Sequence, residues 1–258
     1  MAVSKKSSNF AAESCKDMNE KRLIDICLKD KLIEFADKDH SSVDKLTEEF
    51  AQLAPYFLSG GYIKVREDYR VYPTTVEFYF HAEKENGVHD PIVYHRNNNK
   101  VEGNIPYFPI FTLHAHDVGY DITFENSRKQ YRASVLIREY QILDVRDKQN
   151  MEWLKWDSKK QRFCKDNGQN PKNTQVMYLK YILNSFSIGV ESQINWIDAK
   201  ELIEISKKEG KPRINVPKYE SKDGKFEKIV KDKKNNKPIY EPCTRPWRFS
   251  RKKPIQIN

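Results

Sequence analysis

Five of the six histidines, His81, His89, His95, His114 and His116, fall between positions 81 and 116, with Glu77, Glu83, Asp90 and Asp117 close by. Strand alternation puts His114 and His116 on one face. A His-x-His pair on a strand binds a transition metal when a carboxylate completes the set. No Cys-x-x-Cys pair and no His-x3-His spacing accompanies it. Histidines that are structural, or that touch a substrate, are the other readings.

Val76-Glu77-Phe78-Tyr79 sets one carboxylate in an apolar and aromatic run. Burial there would raise its pKa and suit it to general-base work, whereas a solvent-facing strand glutamate would do nothing. Tyr79, two residues on, shares its face if the strand continues. A carboxylate beside an aromatic ring is what an enzyme needs to stack a planar base and aim a water at its sugar carbon. Arg138 closes the apolar run Ser134-Val135-Leu136-Ile137. A half-buried guanidinium calls for an acidic partner or an anionic ligand.

These side chains need elements to position them. The apolar spacing predicts a helix over Asn19 to Lys38. Ser41 with Asp44 predicts a capping box opening a second helix through Leu46, Phe50, Leu53 and Ala54. Tyr62 to Val65, Thr74 to Phe80, Phe108 to Leu113, Asp121 to Phe124 and Ser134 to Tyr140 read as strands. Residues 82–105 read as a long polar loop. Further helices are expected at Val176–Phe186 and Ile197–Ser206, a surface insertion over 218–239, and a closing strand at Pro246-Trp247-Arg248-Phe249. The fold class expected is α+β: one domain with a curved, mostly antiparallel sheet flanked by helices. Residues 1–44 are expected as an N-terminal extension, disordered to about residue 18 and then helical, and residues 45–258 as the functional domain.

Composition narrows the function. The 258 residues carry 46 Lys+Arg against 37 Asp+Glu, a net charge of +9. Residues 207–258 alone hold 17 Lys/Arg and 6 Asp/Glu, so the whole excess lies in the last fifth of the chain. That asymmetry suggests a polyanionic partner, nucleic acid first and a membrane surface second, unless it is a solvated tail. Only 9 Gly are present, which argues against a Gly-rich nucleotide loop. No apolar run reaches the roughly 18 residues of a membrane span, and the N-terminus lacks a signal-peptide pattern. Cys15, Cys27, Cys164 and Cys243 are widely separated, which argues against a zinc ribbon and a disulfide scaffold. A cytoplasmic protein with reduced thiols is expected.

In this order the pieces resemble the alkyladenine (3-methyladenine) DNA glycosylase family over about residues 45–255. Phe50 to Val65 is similar to the family's opening helix, turn and first strand. Val76-Glu77-Phe78-Tyr79 is similar to the Val-Glu-x-Tyr segment that holds its catalytic Glu and stacking Tyr. Gly119 to Arg138 aligns without gaps on its Gly-containing and Val-Leu-Leu-Arg strands. Lys211-Pro212-Arg213-Ile214 resembles its Pro-Arg-Ile segment, and Arg245-Pro246-Trp247-Arg248-Phe249 its closing Pro-Trp-Arg-Phe strand. The resemblance implies that Glu77 activates a water and that Arg138 helps hold both. It also implies that Tyr79 stacks on an extruded base and that His89 contacts it. Hydrolysis would leave an abasic site in DNA, expected to be double-stranded, with no cofactor, metal or obligatory protein partner.

The same alignment gives Val118 where the family has a Tyr that wedges into DNA, Ala115 for a second pocket Tyr, and Glu125 for a purine-discriminating Asn. A wider, more polar pocket follows, with His114, His116 and Glu125 beside the base. That suits a bulky or hydrophilic modified base, as in heavily modified viral DNA, better than a simple alkylpurine. Arg245, Arg248, Lys252 and Lys253, with Val118, are the expected DNA contacts. Two other classes fit the residues: a metal-dependent nuclease using His114, His116, Asp117 and Glu77, and a non-catalytic nucleic-acid-binding protein.

Overall fold

The computed structural model describes residues 27–90, 92–93, 105–116, 119–166, 172–174, 176–183, 191–199, 210–214, 216–222, 225–240, 244–251 and 254–255. Two helices open it, α1 (Leu28–Asp37) and α2 (Val43–Ser59). Strands follow: β1 (Gly61–Val65), β2 (Tyr69–Ala82), β3 (Thr112–His116), β4 (Gly119–Thr123), β5 (Tyr131–Asp144), β6 (Glu152–Asp157) and β7 (Arg162–Lys165). A 3-10 turn (Val176–Leu179) leads into α3 (Lys180–Leu183). The chain then forms β8 (Glu191–Gln193), β9 (Asn195–Asp198), the β10 (Tyr219–Lys222) and β11 (Lys225–Ile229) hairpin, and β12 (Arg248–Ser250).

Among the described residues ten strands form one curled sheet in the order β8-β3-β4-β5-β2-β1-β9. β12 adds to β2, and β6 with β7 adds to β5. The spine is the antiparallel pair β2 and β5, fourteen residues each. Its register shifts around Pro73 to Val76. Proline cannot donate to a ladder, so Pro73 belongs at such an irregularity. At the same place the Thr74 carbonyl accepts from the Arg251 backbone N–H. On its other edge β2 pairs with β1 at Tyr69–Val71 and with β12 at Thr75–Glu77, so two different strands share one edge.

Alternation divides the sheet into unlike faces. Val76, Phe78 and Phe80 of β2 and Ala133, Val135 and Ile137 of β5 face α1 and α2. There Phe50 stacks on Phe78 at 4.5 Å, and Phe35 meets Phe80 and Phe124 edge-on. The opposite face carries Glu77, Tyr79 and His81 beside Ser134 and Arg132, all buried. A sheet with one apolar face and one face of buried polar groups needs partners for each polar atom on the second.

Several expectations shift. The cap of α2 is Ser42, whose hydroxyl accepts from the Lys45 N–H; the Ser41 hydroxyl donates instead to Asp39. The strand expected from Phe108 starts at Thr112, because Phe111 sits at φ 65°, outside the strand region. The helix expected from Ile197 is overturned at its start. Asn195–Asp198 pairs with the edge of β1 as β9, and the rest of that expectation, from residue 200, lies outside the described residues. At 176–183 a 3-10 turn and one α turn stand in place of a regular helix. The β6–β7 hairpin has no counterpart in the sequence pattern, since its residues are mostly polar. The insertion over 218–239 contains the β10–β11 hairpin. α1, placed in the N-terminal extension by sequence, buries Leu28, Leu32 and Phe35 in the same core as α2.

Candidate functional site

Glu77 lies in the middle of β2, where its neighbours across the ladder are Leu136 on β5 and Arg248 on β12. Its side chain is fully buried. Burying a lone carboxylate is expensive, so donors must compensate it. One oxygen, Oε2, receives three: the Tyr79 hydroxyl at 2.8 Å, Arg138 Nε at 2.8 Å and Arg138 Nη2 at 2.7 Å. The other oxygen, Oε1, accepts only a long 3.3 Å bond from the Ile214 N–H among the described residues. The carboxylate is therefore anchored through one oxygen and lightly engaged at the other.

Tyr79 is the hinge of the group. Its hydroxyl donates to Glu77 and lies 3.4 Å from Arg138 Nη2. Burial, and then the Glu77 charge, push its phenol well above the ordinary tyrosine value, so it stays a donor. Burial works against the Arg138 charge, but Tyr79 and Glu77 outweigh it and hold that pKa above the usual arginine value. One side of the Tyr79 ring meets the Arg213 guanidinium at 4.8 Å. Tyr79 belongs to a buried apolar cluster with Ile92, Val93, Leu136 and Val216.

A second buried charge group holds the first in place. Asp90, fully buried, pairs with Arg213 at 2.6 Å and lies 3.7 Å from Arg245. Burial opposes its charge, yet the two guanidiniums hold its carboxyl below the usual aspartate value. Arg213 Nη1 also donates to the Phe78 carbonyl at 3.4 Å. Arg213 and Arg245 both lie over the Trp247 ring, at 5.2 and 4.9 Å, and the Trp247 indole donates to Thr47. Asp90 thus ties the loop after β2 to segments 210–214 and 245–248. Gly210 makes this fit: a Cβ there would lie 1.6 Å from the Pro246 carbonyl oxygen.

Of the residues expected from sequence, Glu77, Tyr79 and Arg138 converge, and Arg248 stands beside Glu77 in the ladder. Arg245 serves Asp90 and donates to the His89 carbonyl at 2.7 Å. The His89 imidazole lies over the Lys84 and Glu85 carbonyls and edge-on to His81 at 5.3 Å, not on Glu77. Glu125 pairs with the fully buried Arg132 at 3.1 Å and accepts from the Phe108 N–H, so it belongs to a separate group with Glu83. His114 stacks on Phe108, and His116 lies 3.5 Å from Asp121. Val118, Lys252, Lys253 and Asp117 lie outside the described residues. Among those described, no group of three or more His, Cys, Asp and Glu is placed to hold a metal.

Sequence reasoning missed the service of Asp90 and Arg213, which are 123 positions apart. It also missed Arg132, although Arg132 and Arg138 sit an even number of residues apart on one strand and must share a face. Asp121, which accepts from Ser134 Oγ at 3.2 Å, shares that face too. No helix among the described residues is long and apolar enough to cross a membrane. No family model, curated protein or solved structure matches the chain.

Proposed function

We propose that this protein is a DNA glycosylase that extrudes a modified base and hydrolyses its N-glycosidic bond. The observation that carries the reading is the lopsided bonding of Glu77. Arg138 and Tyr79 fix Oε2, and Oε1 is left with one long bond, the arrangement a general base needs to accept a proton from water. The carboxylate also stabilises the positive charge that develops on the sugar as the bond breaks. Tyr79 orients the acid. A base that stacks on its ring must open the buried apolar cluster that Tyr79 shares with Ile92, Val93 and Val216.

The duplex would be held by the basic C-terminal segment. Lys218, Lys231, Lys233, Lys234 and Lys237, on and around the β10–β11 hairpin, are exposed. Such lysines hold phosphates without reading sequence. The substrate class we favour is a bulky or polar modified base, because His114 and Asp121 put polar side chains on the sheet face of Glu77; Ala115, next to His114, lies on the other face in the apolar core and does not widen a pocket at Glu77.

The test is incubation of wild-type and Glu77→Gln protein with unmodified, alkylated, and hydroxymethylated or glucosylated duplex DNA, followed by alkaline cleavage at abasic sites. Alkali-labile sites in modified DNA with wild type only, unchanged by excess chelator, are the expected result. Labile sites confined to alkylated DNA would remove the bulky-base claim. Their absence from every substrate would remove the glycosylase reading. Direct strand breaks that vanish with chelator would put a metal-dependent nuclease in its place, and DNA binding without cleavage a non-catalytic binding protein.

A further inference from the structure

Beyond the irregularity at Pro73 to Val76, the β2–β5 ribbon continues to an end that β1 and β6 flank. Val71, Ile142 and Leu154 belong to the core there, so alternation sends their strand neighbours to the other face. Lys64, Arg70, Leu143 and Trp153 stand side by side on it, across β1, β2, β5 and β6. Tyr72 and Gln141 pair in the next row, and Tyr62, two residues before Lys64, joins them.

Three aromatic rings from three strands therefore meet on one face. Tyr62 and Tyr72 have centroids 5.2 Å apart, and Tyr72 and Trp153 5.8 Å. All three are only half-buried. Gln141 bonds both backbone groups of Ile255, so residue 255 lies beside the rings.

The charge on this face is lopsided. Lys64 is matched by Glu67, and Asp157, farther along β6, by Lys160. Arg70 lies over the Tyr62 ring at 5.1 Å and has no carboxylate within ion-pairing distance among the described residues. Exposed Lys155, two residues from Trp153, has none either. Cations left over beside accessible aromatic rings on a sheet suit a chain of phosphates that carries planar bases. The ring spacings exceed the roughly 3.4 Å rise of a stacked duplex strand. An unpaired, opened strand fits them, since bases inside a duplex show no free face.

We propose that this face is a binding site for single-stranded nucleic acid. Bases stack on Tyr62, Tyr72 and Trp153, and phosphates meet Arg70 and Lys155. The site uses none of the residues around Glu77 and does not depend on the glycosylase reading.

Fluorescence anisotropy of labelled oligo(dT) and oligo(rU), each of about twelve nucleotides, titrated with the full chain, tests it and shows which sugar is preferred. Saturable binding of at least one is expected. Trp153→Ala and Tyr62→Ala should each weaken it about tenfold, and Trp153→Phe should keep most of it. Lys155→Ala, at an exposed position that cannot endanger the fold, should lower the salt slope by about 0.7. Circular dichroism of each variant should match wild type. Absence of saturation for both oligonucleotides overturns the proposal. So does binding whose affinity and salt slope survive all these substitutions in folded protein. Losses as large on a duplex of the same length would overturn the assignment to unpaired bases. Inorganic polyphosphate that displaces the label as well as unlabelled oligonucleotide does would overturn the role given to the rings.

Discussion

Arg138 grips Glu77 diagonally across the β2–β5 ribbon, its Nε and Nη2 at 2.8 and 2.7 Å from a single carboxylate oxygen, although 61 positions separate the two residues. Diagonal neighbours on a sheet face are within reach of long side chains. Breaking one partner of a buried pair leaves the other charge uncompensated, which costs more than removing both. Arg138→Met should therefore destabilise the protein by about 3 kcal/mol. Adding Glu77→Leu should restore part of that loss. Urea unfolding of the two single variants and the double variant measures the coupling; strictly additive losses would mean that the pair does not act as a unit.

Asp90 gives the structure an acid-sensitive clasp. Its carboxyl titrates below the ordinary value when folded, so the unfolded chain binds its proton first as pH falls. The stability it contributes is complete above the unfolded aspartate value of about 4, and is lost as pH drops from there through the lower folded value. Asp90→Asn should lower the urea midpoint at pH 7 and flatten its fall below about pH 4. A variant whose pH profile stays parallel to wild type in that window would show that Asp90 is not the titrating group.

The lysines near the β10–β11 hairpin are assigned to phosphates, and that has an ionic-strength signature. Replacing Lys233, Lys234 and Lys237 with Ala should weaken binding of all duplex sequences alike. The salt slope should fall by about one for each phosphate that is no longer neutralised. Fluorescence anisotropy at several salt concentrations reads both. An unchanged slope would move the phosphate-binding role elsewhere.

Ser41 and Ser42 separate by function. Ser42→Ala removes the side-chain acceptor of the Lys45 N–H and should cost about 1 kcal/mol. Ser41→Ala removes only exposed hydrogen bonds, one donated to Asp39 and a long one accepted from the Lys45 ammonium, and should stay within about 0.5 kcal/mol of wild type. Thermal melts of the two variants decide the assignment.

What the sequence makes legible here is what period two governs. Glu77, Tyr79 and Arg138 sit at fixed places on strongly apolar strands, so the face shared by Glu77 and Tyr79 follows from alternation alone. Phe78 and Phe80 follow from the same rule on the other face. Asp90 and Arg213 carry no such signal, because their meeting depends on how two irregular segments pack 123 positions apart. β9 is hidden for a related reason. Ile197 and Asp198 read as the start of a helix, but the open edge of β1 supplies partners that a local pattern cannot reveal. At Ser41 and Ser42 two capping residues stand side by side, and spacing alone picks the wrong one.

The acid on β2 draws its surroundings from the chain's far end: an amide at Ile214, and a covering strand that begins at Arg248. Translation delivers the N-terminal parts first. A nascent chain that has cleared the ribosome only as far as β9 holds Glu77 with Tyr79 and Arg138 but not with Ile214 or β12. Full seclusion of the carboxylate therefore waits for the closing residues, and a polypeptide cut short before them would fold with that charge half-dressed.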